Sequence, residues 1–360
     1  MPNAPIYVTM PALAPLEEFN TLLQGVWERG ILTHNGPLVQ QFERALSAKL
    51  QLPGFVATTN GTIALQMAIK ALKLQGEIIT TPFTWIATIS AIQWEHCTPI
   101  FADIDPHTLN IDPGSIEQRI TDRTVAIMPV HVFGNPCDVE AIQTLADHYG
   151  LKVIYDAAHA IGSTYNGNSL LTQGDISATS LHATKLLNTG EGGGCITKNP
   201  ALQESLKRIR FFGHNEQRDI VEEGFNGKMT EIHAALGLAN LTYFDDVLAD
   251  RKSKYARYKE AFSAHPHIRL QKLQFGETNY SYFPIIFDRE EALLDAVARL
   301  EAAQIYARRY FYPSVNTFKK ILADQQAPIS EEIARRILCL PLYHRLTEQA
   351  IDRVIRMIGS

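Results

Sequence analysis

The chain has 360 residues, 46% of them hydrophobic and 20% charged, with a net charge of −5 at neutral pH. That length exceeds what one compact core usually holds, so a large domain with a smaller companion is expected. The acidic balance without any Lys/Arg run argues against nucleic acid as a partner, and no stretch approaches the roughly twenty apolar residues that span a bilayer. The four cysteines, Cys97, Cys137, Cys195 and Cys339, are scattered and form no CxxC pair or Cys/His cluster. They read as reduced, buried thiols of a cytoplasmic protein, with no metal site. The N-terminus has no basic segment followed by an apolar run, so no signal peptide is expected.

In chain order, residues 1–15 are proline-rich and predict an extended segment. Apolar residues at helical spacing predict a helix over 16–30, ended by Gly30, and a second over 38–50. Strands and helices then alternate. Strands are expected at 55–58, 78–80, 100–101, 125–128, 153–156, 176–181 and 195–197. Helices are expected at 63–74, from Trp85 onward, at 139–149 and at 202–212. This alternation defines an α/β domain with a mostly parallel sheet. An Ala/Leu-rich helix over 231–243 is followed by a long polar helix over 245–264, where the domain boundary falls. Beyond it a strand at 281–287, helices at 290–303 and 348–358, and an aromatic stretch at 306–312 describe a smaller α+β domain.

The chemistry concentrates at strand ends, where open α/β sheets bind ligands. Lys185 follows the 176–181 strand, beside Ser180 and Thr184 and before Gly190, Gly192, Gly193 and Gly194. The bland reading is a solvated surface lysine; the functional one is a Schiff-base lysine. Asn60-Gly61-Thr62 opens a helix, whose free N–H groups suit a phosphate, although a plain cap explains them too. Asp156 closes a hydrophobic strand as a cap, or as a carboxylate aimed at a cationic ring nitrogen. His159 follows on the same turn, where a structural histidine is the commoner case. Trp85 stands at a strand-to-helix junction as a core aromatic or as a plate for a flat ring. Singly each is weak. Together they supply a phosphate cradle, a ring plate, a carboxylate and an amine, the set that pyridoxal phosphate requires. No Walker lysine signature or dinucleotide fingerprint is present.

Several motifs occur together in one order: NGTIAL (60–65), TPFTWIAT (81–88), DIDPHTLNID (103–112), PVHVFGNPCD (129–138), DAAHA (156–160), GDISATSLHATKLLNTGEGG (174–193), GFNGKMTEIHAALGL (224–238) and CLPLYHRLTE (339–348). With these the chain resembles the DegT/DnrJ/EryC1/StrS sugar-nucleotide aminotransferases from about residue 38 to the C-terminus. The resemblance implies a fold type I, aspartate aminotransferase-like large domain over 1–244, N-terminal segment included, and a small domain over 245–360. It implies pyridoxal 5'-phosphate bound covalently to Lys185, Asp156 at the ring nitrogen, Trp85 on the ring, and Gly61, Thr62 and Ser180 on the phosphate. It implies that Asn226 reaches the phosphate of a neighbouring subunit, making a homodimer with shared active sites. Asn60 stands where many relatives carry Ser, and His159, facing the ring oxygen, where Gln is frequent. Both keep a hydrogen-bonding side chain.

By the same resemblance the reaction is amino transfer from L-glutamate to C4 of a nucleotide-linked 4-keto-6-deoxy sugar, dTDP-4-keto-6-deoxy-D-glucose being favoured. The product would be dTDP-4-amino-4,6-dideoxy-D-glucose for a surface polysaccharide such as O-antigen. A UDP-linked 4-keto sugar, a 3-keto sugar, a dehydratase and a non-catalytic cofactor-binding regulator are the alternatives. Arg210, Arg308 and Arg309 are candidates for the diphosphate, with salt bridges as the equal alternative. Tyr310 and Tyr312 are candidates for the sugar pocket, with core packing as theirs.

Overall fold

The computed structural model describes residues 4–359; residues 1–3 of the segment expected to be extended lie outside the described residues. A seven-stranded sheet runs in the order Val56–Thr58, Gly193–Ile196, Ile176–Ser180, Lys152–Asp156, Thr124–Met128, Glu77–Thr80, Thr98–Phe101. Gly193–Ile196 is antiparallel to both of its neighbours, and all other pairings are parallel. The parallel strands read as apolar runs because both faces are covered. One face packs around Phe42, Ile79, Ile127, Val153 and Tyr155. The other packs around Met67, Ile69, Ile78, Ala126 and Ile154.

Caps set many of the boundaries. Gly30 ends the helix Leu16–Arg29 in the left-handed conformation (φ 66°), and Gly150 ends Val139–Tyr149 the same way. Asp138 starts the latter by accepting from the Ala141 N–H. The helix expected over 202–212 is Pro200–Ile209 and stops sooner. Phe212 turns left-handed, and the chain folds back so that Phe211 pairs with Asn226. The helix Pro328–Arg336 had no counterpart in the sequence reading.

A second, antiparallel sheet joins Ile268–Leu270, Phe283–Phe287 and Ile337–Leu340. It packs with the helices Phe244–Phe262, Glu290–Ala302 and Glu348–Gly359 around Tyr258, Phe262, Phe283 and Ile351. The strand Ile6–Tyr7 pairs in parallel with Ile305–Tyr306, and Ile6 is buried in this C-terminal cluster. The start of the chain therefore packs with its last third. Among the described residues, no helix is long and apolar enough to cross a membrane.

Candidate active site

The carboxyl ends of the parallel strands open onto a cleft of about 300 Å³. At one end, Thr58 leads into Asn60, whose Oδ1 accepts from the Ile63 N–H at 2.9 Å and caps the helix Gly61–Ala71. The cap leaves the Gly61 and Thr62 amides with no carbonyl one turn back, so they face the cleft as free donors at the positive end of the helix dipole. Glycine at position 61 lets this turn approach Ser180 closely, since a Cβ there would lie 3.0 Å from that of Ser180. Gly193 lies behind this turn, where a Cβ would stand 2.5 Å from the Asn60 carbonyl carbon. The glycines after Lys185 thus do not line the cleft. Gly193 and Gly194 are strand residues that let the phosphate-type turn and Phe55 approach, while Glu191 faces the opening.

Asp156, at the end of Lys152–Asp156, is buried. Its Oδ2 accepts from the Thr88 hydroxyl at 2.7 Å and its Oδ1 from the Ala158 N–H at 3.1 Å. The Thr84 and Thr88 hydroxyls are 2.8 Å apart and extend this chain. Burial raises the Asp156 pKa, opposed by the Thr88 hydroxyl, the Ala158 amide and the Lys185 charge. Among the described residues no lysine, arginine or histidine forms an ion pair with it. A buried carboxylate held by neutral donors is set to receive a cation.

Lys185 reaches the same cleft, and its Nζ donates to the Tyr282 hydroxyl at 3.3 Å. Burial pushes its pKa down to about 8, against the pull of Asp156. His159 accepts the Phe133 N–H on Nδ1 at 3.2 Å, which places a neutral ring's proton on Nε2. Burial, then the Lys185 charge, hold its pKa well below the usual value, so it offers the cleft a donor without a charge. Its ring lies nearly parallel to those of Phe133 and Phe311, 6.1 Å and 5.9 Å away.

Gly61, Thr62, Trp85, Asp156, His159, Ser180 and Lys185 all line the cleft. Asn226 does not line it; its Oδ1 accepts from Lys228 Nζ at 2.6 Å, leaving its NH2 group as a donor. Two of the three arginine candidates are otherwise engaged. Arg210 is buried, paired with Glu43 at 2.5 Å and bonded to the Ala57 carbonyl. Arg309 is paired with Glu290 at 2.6 Å and stacked 3.6 Å over Tyr312, which is exposed outside the cleft. Arg308 does line the cleft, over the rings of Tyr310 (4.6 Å) and Trp85 (5.8 Å). Trp85 is half exposed at the N-cap of Ile86–Trp94, a plate open to a ligand. Thr88 and Tyr282 went unnamed in the sequence reading. The hydroxyls at 84 and 88, one helical turn apart, were a signal for the first. Nothing local marks the second.

These groups fit a phosphorylated pyridine aldehyde. The amine can lose its proton near neutrality, the carboxylate has no cationic side chain paired with it, and the helix start offers N–H donors to an anion. Such chemistry belongs to pyridoxal-phosphate enzymes, and the sheet order and the second sheet place the fold among their aspartate aminotransferase-like members. A profile of the DegT/DnrJ/EryC1/StrS aminotransferase family matches residues 15–359, and the chain belongs to that family. The dTDP-4-amino-4,6-dideoxy-D-glucose transaminase of Shigella dysenteriae is 40% identical, with 98% of each chain covered. The protein of the same name from Escherichia coli is 36% identical, with 99% of each covered. Among solved structures, DesI in the presence of its TDP-sugar product superposes with a TM-score of 0.92 at 31% identity, covering 99% of this chain and 92% of that one. The chain is a pyridoxal-phosphate-dependent aminotransferase.

Proposed function

We propose that this aminotransferase moves an amino group from L-glutamate to C4 of dTDP-4-keto-6-deoxy-D-glucose, giving dTDP-4-amino-4,6-dideoxy-D-glucose for a surface polysaccharide such as O-antigen. The observation that carries the reading is the end-to-end similarity to two transaminases named for that product. Bound in the cleft, the cofactor supplies an aldehyde and an electron-withdrawing pyridinium ring. Lys185 would hold the aldehyde, and its amine, when free, would carry the proton as general base and acid. Asp156, to whose carboxylate Thr88 and Ala158 donate, would pair with the ring nitrogen. Trp85 would face the ring, and His159 would offer its Nε2 proton to the ring oxygen. Gly61, Thr62 and Ser180 hold the phosphate, the first two through backbone N–H groups at the helix start.

Arg308 meets the diphosphate of the sugar nucleotide, with Tyr310 against the sugar. Asn226 presents its NH2 group to the phosphate in a partner subunit, so the working unit is a homodimer with shared sites. The protein works in the cytoplasm, where nucleotide sugars are made. Residues 1–244 form the cofactor-binding domain, apart from the strand Ile6–Tyr7, which packs with the small domain of 245–360 that closes the cleft. Side-by-side kcat/KM values for dTDP-, UDP- and GDP-linked 4-keto-6-deoxy sugars test the reading. A tenfold or greater preference for the dTDP sugar, with nitrogen at C4 in the product's NMR spectrum, is expected. Preference for UDP or GDP, or amine at C3, overturns the substrate.

A further inference from the structure

Tyr282 stands directly before the strand Phe283–Phe287 and brings its hydroxyl to the Lys185 amine from the C-terminal half of the chain. Its ring is fixed on several sides. His159 lies 4.7 Å away, tilted by 44°, Phe133 5.3 Å away, and Tyr310 5.8 Å away edge-on. Its backbone is fixed too. Arg251, fully buried on the helix Phe244–Phe262, donates from Nη1 to the carbonyls of Ser281 (3.2 Å) and Leu342 (3.3 Å). The Ser281 carbonyl belongs to the peptide that joins it to Tyr282. Arg251 forms no ion pair with any described residue, and its Nε and Nη2 are buried without a partner. A cation left so bare is costly, and one thing it does here is pin the segment that aims the phenol.

We propose that Tyr282 is the positioning residue of the Lys185 amine, held in place by Arg251; the inference rests on the reading of Lys185 as the proton carrier. The chemistry favours a phenol at this point. A carboxylate in contact with the amine would accept from an ammonium and resist its loss of a proton. Burial keeps the Tyr282 hydroxyl protonated. A neutral hydroxyl accepts from –NH3⁺ and donates to –NH2, so it holds the nitrogen in both protonation states. The other titratable groups around the amine are Asp156, His159, His182, Glu191, Arg308 and Tyr310, which share the cleft with it. Of these, Asp156 favours the charged form of the lysine.

The test begins with the cofactor-free protein. Competitive labelling with trace acetic anhydride across pH 6–11, read by mass spectrometry on the Lys185 peptide, gives the titration of that amine. Tyr282→Phe removes a bond that is stronger to the charged –NH3⁺ than to the neutral –NH2, so the midpoint should fall by roughly one unit below that of the wild type. Tyr310→Phe, in the same cleft with no bond to the lysine, should leave it in place. In the loaded enzyme, Tyr282→Phe should slow the glutamate half-reaction about tenfold or more and enlarge the isotope effect of Cα-deuterated glutamate, with cofactor affinity little changed. Tyr282→Met, which fills irregular space and offers no comparable acceptor, replaces the Phe variant if that one is insoluble. An unmoved Lys185 midpoint and isotope effect in a folded variant overturn the proposal. A shifted midpoint in a protein whose wild type transfers no amine would leave the positioning intact and sink the proton-carrier reading instead.

Discussion

Replacing Thr88 by Val removes one hydroxyl and almost no volume, and it strikes the Asp156 carboxylate from behind. Thr88 donates to Asp156 Oδ2 at 2.7 Å in a buried setting, and the Thr84 hydroxyl loses its neighbour in the same change. A hydrogen bond to an ionised group contributes about 1.5–3 kcal/mol, so Asp156 should titrate higher still. The sign follows from the direction of the existing shift. Burial already raises Asp156 above its ordinary 3.8. Between that value and its folded-state pKa the folded protein holds more protons than the unfolded chain, so stability falls as pH rises through this window. Thr88→Val deepens that loss. The urea midpoint of the cofactor-free variant should therefore drop at pH 7 by the equivalent of about 1.5–3 kcal/mol, and by clearly less as pH approaches 4 and the carboxyl gains its proton. Amination should fall in parallel, and Thr88→Ser, which keeps the donor, should recover most of both. An equal drop at the two pH values would mean that Thr88 only fills space, and no drop at all would mean that the hydroxyl contributes nothing to Asp156.

Lys185→Ala should fold normally and form no borohydride-reducible adduct with the cofactor, checked by mass spectrometry after reduction. In the wild type, the rate of cofactor capture should climb with pH through about 8, because burial places the free amine there. A climb centred at the ordinary 10.5 would contradict the buried setting. Mixing inactive Lys185→Ala and Asn226→Ala subunits should restore partial activity, since one of the two sites in each heterodimer would hold both residues. Failure to rescue despite proven exchange, measured by native mass spectrometry, would place Asn226 in the service of its own chain.

What the sequence made legible was local. Asp156 and Ser180 end apolar strands, Gly61 and Thr62 start a capped helix, and Lys185 follows a strand directly; a short window carries each signal. Side chains that meet across the fold carry no such mark. Thr88 reaches Asp156 across 68 positions of chain, and Tyr282 reaches Lys185 across 97. The arginines show the same limit from the other side. Arg210, Arg308 and Arg309 are one residue type in polar surroundings. Glu43, 167 positions away, buries Arg210, and Glu290 takes Arg309. Strand ends can be read along the chain, but which charge is already spent depends on packing. The glycines after Lys185 misled for a related reason. Their density was genuine, yet it serves close approach of Asn60 and Phe55 behind the site.

Asp156 and burial pull the reactivity of Lys185 in opposite directions, and the magnitudes show which prevails. Asp156 favours the ammonium, while burial among the walls that enclose the amine, from Val130 and His159 on one side to Phe311 on the other, favours the free base. Burial wins, since the pKa ends near 8 and not at or above 10.5. At pH 7 an ordinary lysine is uncharged in about one molecule in three thousand, and one with a pKa of 8 in about one in ten. A proton carrier needs that free fraction and must also be able to regain its charge. The carboxylate supplies the second requirement and the aromatic wall the first. The wall draws on residues 282–311 as well as on the main sheet, so the base is tuned only where the C-terminal half closes over the strand ends.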